Sequence, residues 1–269
     1  MKLRVGKIPF LVCVPFFHRF LEENRHFEAF SFVEGVPSAL NQKLWSGEIH
    51  LAPASSIAYA KDPCNLRLVP DICTSCNLEV HSVELFSRIP LENLSHKKVY
   101  LTRQSGTSVA LFRILCSQYA QVHPEYVDAA ENADAILLIG DEALLEKSQN
   151  RWPFRYDLAK LWESWQGLPF VFGAWSVHQS ALSNELRPLL DYFLSNVRES
   201  ISTFRADPAS ALTVWTKRYE VPFSMGQLQA YYNSLDYEFT DERKRSLELY
   251  FNLCAKEGIL QGPVTLQFI

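Results

Sequence analysis

The chain has 269 residues, of which 48% are hydrophobic and 21% charged, so it can bury a large core without disulfides or bound metal. Its formal net charge is −4, and its Lys and Arg residues are dispersed along the sequence. This argues against nucleic-acid binding, because binding to a phosphate backbone requires a basic surface. The 18 Phe, 11 Tyr and 6 Trp argue against a disordered chain.

The N-terminus has basic residues followed by an apolar run over residues 8–17, an arrangement similar to a secretory signal. Pro9 and Pro15 interrupt the run, and no small-residue cleavage pattern follows it. The run is also shorter than the ~20 residues of a membrane span. We therefore expect a buried strand followed by a loop, in a cytoplasmic protein without membrane contact whose six cysteines are free thiols.

Short apolar runs alternate with longer amphipathic runs along the first two thirds of the chain. The runs in the first part predict strands at residues 3–8, 49–52 and 80–87, and helices at residues 37–46 and from Ser55 or Ser56 to residue 60. Those in the second part predict strands at residues 98–101, 135–139 and 170–177, and a helix at residues 107–119. After residue 180 the pattern predicts only helices, at residues 185–197, 209–218, 225–235 and 241–256.

This alternation predicts an α/β fold with parallel sheets covered by helices on both faces. Two similar blocks followed by a helical tail predict two lobes. Lobe 1 comprises residues 1–88 and 176–269 and carries the C-terminal helices, and lobe 2 comprises residues 89–175. Ligands of open α/β sheets bind beyond the carboxyl ends of the strands, so we expect a small-molecule site in the cleft between the lobes.

Small hydroxyl residues cluster in three turns that border predicted strands. Helix N-termini with Ser or Thr favour anions, and a glycine lets the backbone approach a ligand closely. Each hydroxyl could equally cap a helix, but three such turns in one cleft favour a ligand that carries a carboxylate. The predicted substrate-binding residues in these turns are Ser55, Ser56, Ser105, Gly106, Thr107 and Ser108, and the predicted catalytic residue is Ser82.

Three further residues are predicted to face the same cleft. Gly140 and Asp141 end the buried strand at residues 135–139, and Asp141 is open to three interpretations: a general base, a ligand acceptor or a helix N-cap. Phe172 lies where the chain crosses the cleft again.

No metal or cofactor is expected. Cys73 and Cys76 have no second ligand pair at zinc-site spacing, so we interpret them as small residues near a strand. The spacing of His18, His26, His50 and His81 fits neither a metal site nor a nucleophile relay. Phosphate-loop and dinucleotide-binding motifs are also missing.

Ordered blocks along nearly the whole chain resemble the chorismate dehydratase family of the futalosine route to menaquinone. The blocks are GVPSALNQKL from Gly35, GEIHLAPASSIAYA from Gly47, VHSVELFS from Val80, LTRQSGTSVAL from Leu101, ADAILLIGDEAL from Ala133, and YDL from Tyr156 with GLPFVFGAW from Gly167. The resemblance weakens in the C-terminal helices. It implies a two-lobed type II periplasmic-binding-protein-like fold, with two sheets flanked by helices and the helical tail on the first lobe.

The resemblance also implies an activity. The family consists of cytoplasmic lyases that dehydrate chorismate, a dicarboxylate, to 3-[(1-carboxyvinyl)oxy]benzoate without a cofactor. The chain departs from the family at three places: its first loop has Val12 where the family typically carries an Asn, Leu78 or Glu79 stands where a Gly is common, and His50 replaces an acidic residue. Two alternatives remain: a non-catalytic small-carboxylate-binding protein of the same fold, or a related naphthoate-forming synthase of the same pathway. The sequence does not predict the oligomeric state.

Overall fold

The computed structural model describes residues 2–21, 28–76 and 78–269. The strands in this part of the chain are β1 (Leu3–Lys7), β2 (Phe30–Glu34), β3 (Leu51–Ser55), β4 (Leu66–Cys76), β5 (Val83–Ser87), β6 (Lys98–Leu101), β7 (Glu125–Val127), β8 (Ala135–Ile139), β9 (Phe154–Asp157), β10 (Phe170–His178) and β11 (Leu235–Glu238). The α-helices are α1 (Val14–Phe17), α2 (Pro37–Trp45), α3 (Ser56–Lys61), α4 (Gly106–Ile114), α5 (Gly140–Gln149), α6 (Leu158–Gln166), α7 (Arg187–Ala206), α8 (Pro208–Thr216), α9 (Met225–Ser234) and α10 (Asp241–Lys256).

The strands form two mixed sheets. The first has the order β11-β4-β10-β3-β1-β2 and the second the order β7-β6-β8-β5-β9. Strands β1, β2 and β3 are parallel, as are β6, β7 and β8, whereas β10 and β5 run antiparallel to their neighbours. The expectation of parallel sheets is therefore wrong, because β5, β10 and β11 run opposite to the other strands of their sheets.

The chain passes from one sheet to the other twice. Strand β5 pairs with β8 and β9 in the second sheet, and β10 pairs with β3 and β4 in the first. The passages thus lie between β4 and β5 and between β9 and β10. The predicted lobes place β5 in lobe 1 and most of β10 in lobe 2, and their exact boundaries stay a prediction.

The C-terminal helices lie on the first sheet, as predicted. Helix α7 packs against α1, where the buried Trp175 of β10 contacts the rings of Phe16, Phe17 and Phe193 at centroid distances of 5.5, 5.8 and 5.7 Å. Such aromatic contacts bury large apolar areas and dominate core energetics. They hold the tail against the sheet that carries the first half of the candidate site.

Five of the observed strands, β2, β4, β7, β9 and β11, are not among the predicted strands. Strand β11 lies in the region predicted to be only helical, and that prediction is wrong because Leu235–Glu238 pairs antiparallel with β4. Strand β4 was not predicted, and it contains Pro70. Its pairing with β10 is interrupted between Leu68 and Cys73, and a proline is tolerated where no ladder hydrogen bond is needed.

Candidate active site

A cavity of about 90 Å³ lies between the two sheets. Most of its wall is apolar and comes from Ile8, Phe10, Val12, Cys13, Pro37, Pro53, Ala54, Val80, Val83, Ile139 and Phe172, together with Gly140 and Gly173. Five hydroxyl side chains complete it, those of Ser55, Thr74, Ser82, Ser105 and Ser108. No charged side chain belongs to this lining among the described residues. Polar contacts with a ligand would therefore come from neutral groups.

The structure brings six of the predicted site residues together in this wall. They are Ser55, Ser82, Ser105, Ser108, Gly140 and Phe172. The other four, Ser56, Gly106, Thr107 and Asp141, lie outside the lining, and their assignment as substrate-binding residues stays a prediction.

Three of the serine hydroxyls in the wall accept a hydrogen bond from the protein. Ser55 Oγ accepts from Asn41 Nδ2 at 2.8 Å, Ser105 Oγ from the Ser108 N–H at 3.2 Å, and Ser82 Oγ from the Tyr231 hydroxyl at 3.1 Å. A serine hydroxyl has one proton to donate. Because these oxygens already accept, their protons can point towards a ligand oxygen. This arrangement favours a ligand rich in acceptors, such as a carboxylate.

The first turn of α4 supplies two of these hydroxyls. Ser105 is the N-cap residue, which confirms the capping interpretation for this serine, and its Oγ lies 3.1 Å from Ser108 Oγ. The first N–H groups of a helix have no intrahelical acceptor and carry a partial positive charge. An anion in the cavity would be stabilised at this end of α4.

Backbone hydrogen bonds of His81 and of Ser82 itself fix the position of Ser82. His81 adopts a left-handed conformation with φ of 61°, and its N–H donates to Asp157 Oδ2 at 2.7 Å. The carbonyl of Ser82 accepts the Gly140 N–H at 2.7 Å. A left-handed backbone is uncommon for a residue with a side chain, so the Asp157 contact fixes how Ser82 enters the cavity.

The turn after β8 forms a contact between the two halves of the site. Gly140 has φ of 63°, and a Cβ there would lie 3.1 Å from the ring of Phe10. Asp141 Oδ1 accepts the Leu11 N–H at 3.1 Å, and burial raises the pKa of Asp141 to about 6. The interpretation of Asp141 as an N-cap is wrong, because α5 has no side-chain cap and the carboxylate holds the first loop instead.

The remaining predicted residues have partners inside the protein. Ser56 Oγ donates to the carbonyl of Val171 at 2.7 Å, and Thr107 Oγ1 accepts the Ile57 N–H at 3.0 Å. A Cβ on Gly106 would lie 3.1 Å from the Ile57 side chain, so this glycine permits the close packing of α3 and α4. The capping interpretation is wrong for Ser55 and Ser56, since α3 has no side-chain cap.

Three tyrosines from the C-terminal part of the chain support the site, and sequence reasoning missed them. Besides Tyr231, Tyr232 donates to the carbonyl of Leu11 at 2.8 Å and Tyr237 to the carbonyl of Val12 at 3.1 Å. All three are buried. Tyr231 and Tyr232 lie in the predicted helix at residues 225–235 and Tyr237 lies beyond it, and the local sequence gives no indication of these acceptors.

A cluster of titratable side chains lies next to Ser82 and includes its neighbour His81. His81, Glu84 and Asp157 place one potential metal-ligand atom each within 4.8 Å of the others. The ammonium of Lys147 donates to the Glu84 carboxylate and lies 3.1 Å from His81 Nδ1, so this group already contains a cation. Burial lowers the pKa of His81 and raises that of Glu84.

Among the described residues, the cysteines and the other histidines do not belong to this group. Cys73 and Cys76 are buried in β4, and Cys73 Sγ donates to the carbonyl of Glu238. His18 contacts the carbonyl of Ser200, and His50 accepts the Arg4 N–H, while His26 lies outside the described residues.

Two sheets with a hydroxyl-lined cavity between them define a periplasmic-binding-protein-like fold, and solved structures agree. A protein from Archaeoglobus fulgidus has a TM-score of 0.74 at 17% identity, covering 96% of this chain and 98% of that one. The alkanesulfonate-binding protein of Xanthomonas axonopodis pv. citri has a TM-score of 0.71 at 15% identity, covering 98% and 95%. The periplasmic aliphatic sulphonate binding protein of Escherichia coli has a TM-score of 0.68 at 15% identity, covering 98% and 94%.

The sequence places the chain more narrowly within this class. A family model described as menaquinone biosynthesis matches residues 3–256. The chorismate dehydratase of Thermus thermophilus is 33% identical over 208 residues, which are 68% of this chain and 74% of that protein. The chain therefore belongs to the menaquinone biosynthesis family, and the resemblance inferred from the motif blocks is confirmed.

Proposed function

We propose that this protein is a lyase that dehydrates chorismate to 3-[(1-carboxyvinyl)oxy]benzoate in the futalosine route to menaquinone. Its family and its similarity to a chorismate dehydratase support this activity. The observation that carries it is the convergence of Ser55, Ser82, Ser105 and Ser108 on one otherwise apolar cavity, because chorismate combines a carbocyclic ring with two carboxylates.

The cavity can bind the two ends of such a substrate differently. One carboxylate would accept from the Ser105–Ser108 hydroxyl pair, in which one hydroxyl donates to the other and the second is free to donate to the ligand. This pair lies at the N-terminus of α4, where the helix partial charge favours an anion. The ring would lie against the apolar wall, with Phe172 on one side. Neutral donors in a buried site stabilise an anion without adding a charge that must itself be desolvated.

The elimination removes a proton from the ring carbon that bears the enolpyruvyl ether and the hydroxyl from the neighbouring carbon. Water and an aromatic ring result, so aromatisation drives the reaction. Ser82 would donate its proton in a hydrogen bond to the departing oxygen, which stabilises the charge that develops there. The protein orients the substrate and excludes bulk water.

We propose the side-chain carboxylate of the substrate as the base. The described cavity lining offers no carboxylate or imidazole of its own, and Asp141 is turned towards the Leu11 N–H. The proton that the substrate carboxylate takes up would pass to the leaving hydroxide, which regenerates the carboxylate. An analogue without that carboxylate tests this step, since its efficient turnover would exclude substrate-assisted proton removal.

Other features support a cytoplasmic setting and a two-lobed site. All six cysteines are free and five of them are buried, as in proteins of reducing compartments. Within residues 2–21, 28–76 and 78–269, no helix combines the length and apolarity that a membrane crossing requires. We propose that the cleft between the lobes is this cavity, because its wall includes strands of both sheets.

The decisive experiment is to incubate the purified protein with chorismate. Loss of the cyclohexadiene absorbance together with appearance of the enolpyruvyl benzoate by mass spectrometry is the expected result. Binding without conversion would favour a carboxylate-binding protein instead. If the protein neither binds nor converts chorismate, chorismate is excluded as its substrate.

A further inference from the structure

We propose that Tyr231 is a positioning residue of the active site, which turns the hydroxyl proton of Ser82 towards the substrate. The effect of Tyr231 on catalysis rests on the proposed function, whereas the hydrogen bond to Ser82 does not. Tyr231 lies on α9, where the motif blocks of the family have already ended, and 149 positions from Ser82 in sequence.

The hydrogen bond between the two side chains has a preferred direction. The Tyr231 side chain is buried, with 3% exposed, and its hydroxyl lies 3.1 Å from Ser82 Oγ. Among the described residues, Ser82 is the hydrogen-bond partner found for this phenol. A buried phenol that did not donate would lose a hydrogen bond to water without replacement. Burial also raises the pKa of Tyr231, so the phenol keeps its proton and donates it.

The hydrogen bond from Tyr231 sets the direction of the Ser82 hydroxyl proton. Its oxygen accepts from Tyr231, while the backbone of Ser82 is fixed through its carbonyl and through His81. Ser82 is 4% exposed, and its side chain lines the cavity. The remaining direction for its O–H is the cavity, and accepting one hydrogen bond strengthens the one that a hydroxyl donates. Tyr231 thereby prepares Ser82 to donate to the departing oxygen.

A double-mutant cycle separates positioning from a general structural role. Tyr231→Phe keeps the ring and removes the hydroxyl, and we expect kcat to fall about 10-fold with KM changed less than about twofold. If Tyr231 acts through Ser82, the double variant Ser82→Ala/Tyr231→Phe should have a kcat within about twofold of that of Ser82→Ala alone. A further large loss in the double variant would overturn the proposal, as would unchanged kcat in Tyr231→Phe.

Tyr59→Phe is the matched control. Tyr59 is also fully buried, and its hydroxyl donates to the carbonyl of Thr265 at 2.7 Å, away from the cavity. We expect this variant to lose stability in thermal denaturation while keeping its kcat. A kcat loss equal to that of Tyr231→Phe would show that any buried tyrosine hydroxyl has the same effect, which would also overturn the proposal.

An NMR measurement tests the pairing itself without relying on activity. With tyrosine labelled at ¹³Cζ, Ser82→Ala should shift the Tyr231 resonance, assigned by its loss in Tyr231→Phe, and leave the Tyr59 resonance in place. An unshifted Tyr231 resonance would exclude the hydrogen bond. If the wild-type protein fails to convert chorismate while this shift is observed, the proposed function fails and the geometry of the pair stands.

Discussion

The buried carboxylate of Asp141 should make the stability of the protein depend on pH in a way that one substitution removes. Asp141→Asn keeps an oxygen that can accept the Leu11 N–H but can no longer ionise. Burial raises the pKa of Asp141 from 3.8 to about 6. The charged form is therefore disfavoured in the folded state relative to the unfolded chain.

The size and sign of the effect follow from this shift. Between about pH 4 and pH 6 the folded state binds more protons at Asp141 than the unfolded state, so stability decreases as the pH rises through this interval. One pKa unit corresponds to about 1.4 kcal/mol, which sets an upper limit of about 3 kcal/mol for the cost above pH 6. Part of the side chain is solvent-exposed, so we expect Asp141→Asn to be about 1–3 kcal/mol more stable than the wild type at pH 7.5.

Urea denaturation at pH 4 and pH 7.5 measures the effect. The gain in the free energy of unfolding should be present at pH 7.5 and nearly absent at pH 4. Burial also brings the pKa of Asp157 to about 6 and that of His50 to about 4, but both groups are common to the two proteins and cancel in the difference. Asp128→Asn, at a side chain that is 98% exposed, should show no pH-dependent gain. An equal gain from Asp141→Asn at both pH values would refute the burial argument.

Three other substitutions test the wall of the cavity. Val12→Asn introduces the amide that the family resemblance implies at this position. We expect kcat/KM for chorismate to rise about 10-fold through a hydrogen bond to the substrate, and no rise would show that this chain holds the ring without that contact. Gly140→Ala should lower the free energy of unfolding in urea by about 1–3 kcal/mol, because it adds a close contact to a left-handed backbone. Gly167→Ala, at a similar φ in open space, should cost less, and equal losses would contradict the contact argument. Ser105→Ala should raise KM for chorismate in steady-state assays and, by removing the α4 cap, lower the free energy of unfolding by about 1 kcal/mol. Thr107→Ala should lower the free energy of unfolding with little change in KM. A raised KM in both variants would place Thr107 in the site.

Much of the fold could be predicted from local patterns. The strands at residues 98–101 and 135–139 and the helix at residues 241–256 were predicted with the observed bounds, because alternating or continuous apolar runs and helix caps are encoded within a few residues of each other. The short turns after β3 and β6 were recognised for the same reason. Since a helix N-terminus favours anions, these turns also predict a ligand that carries a carboxylate.

The tertiary structure decided which residues face the ligand. The local pattern places Ser55 or Ser56 at the start of a helix, but only packing turns Ser55 into the cavity and Ser56 to the Val171 carbonyl. Strand β11 exists because β4 offers it a free edge, and Asp141 binds the Leu11 N–H because the turn after β8 meets the first loop.

The pairing of Tyr231 with Ser82 shows the same limit most clearly. The predicted helix at residues 225–235 contains Tyr231, but the local pattern does not say which partner its side chain meets. That partner is set when α9 and the loop before β5 meet between the two sheets, across 149 residues of sequence. The sequence by itself thus determined many of the elements and pointed to Ser82, which lines the cavity, because such signals depend on neighbours along the chain. Only the tertiary structure determined how Ser82 is oriented, because the phenol that donates to it belongs to Tyr231, 149 positions away in sequence.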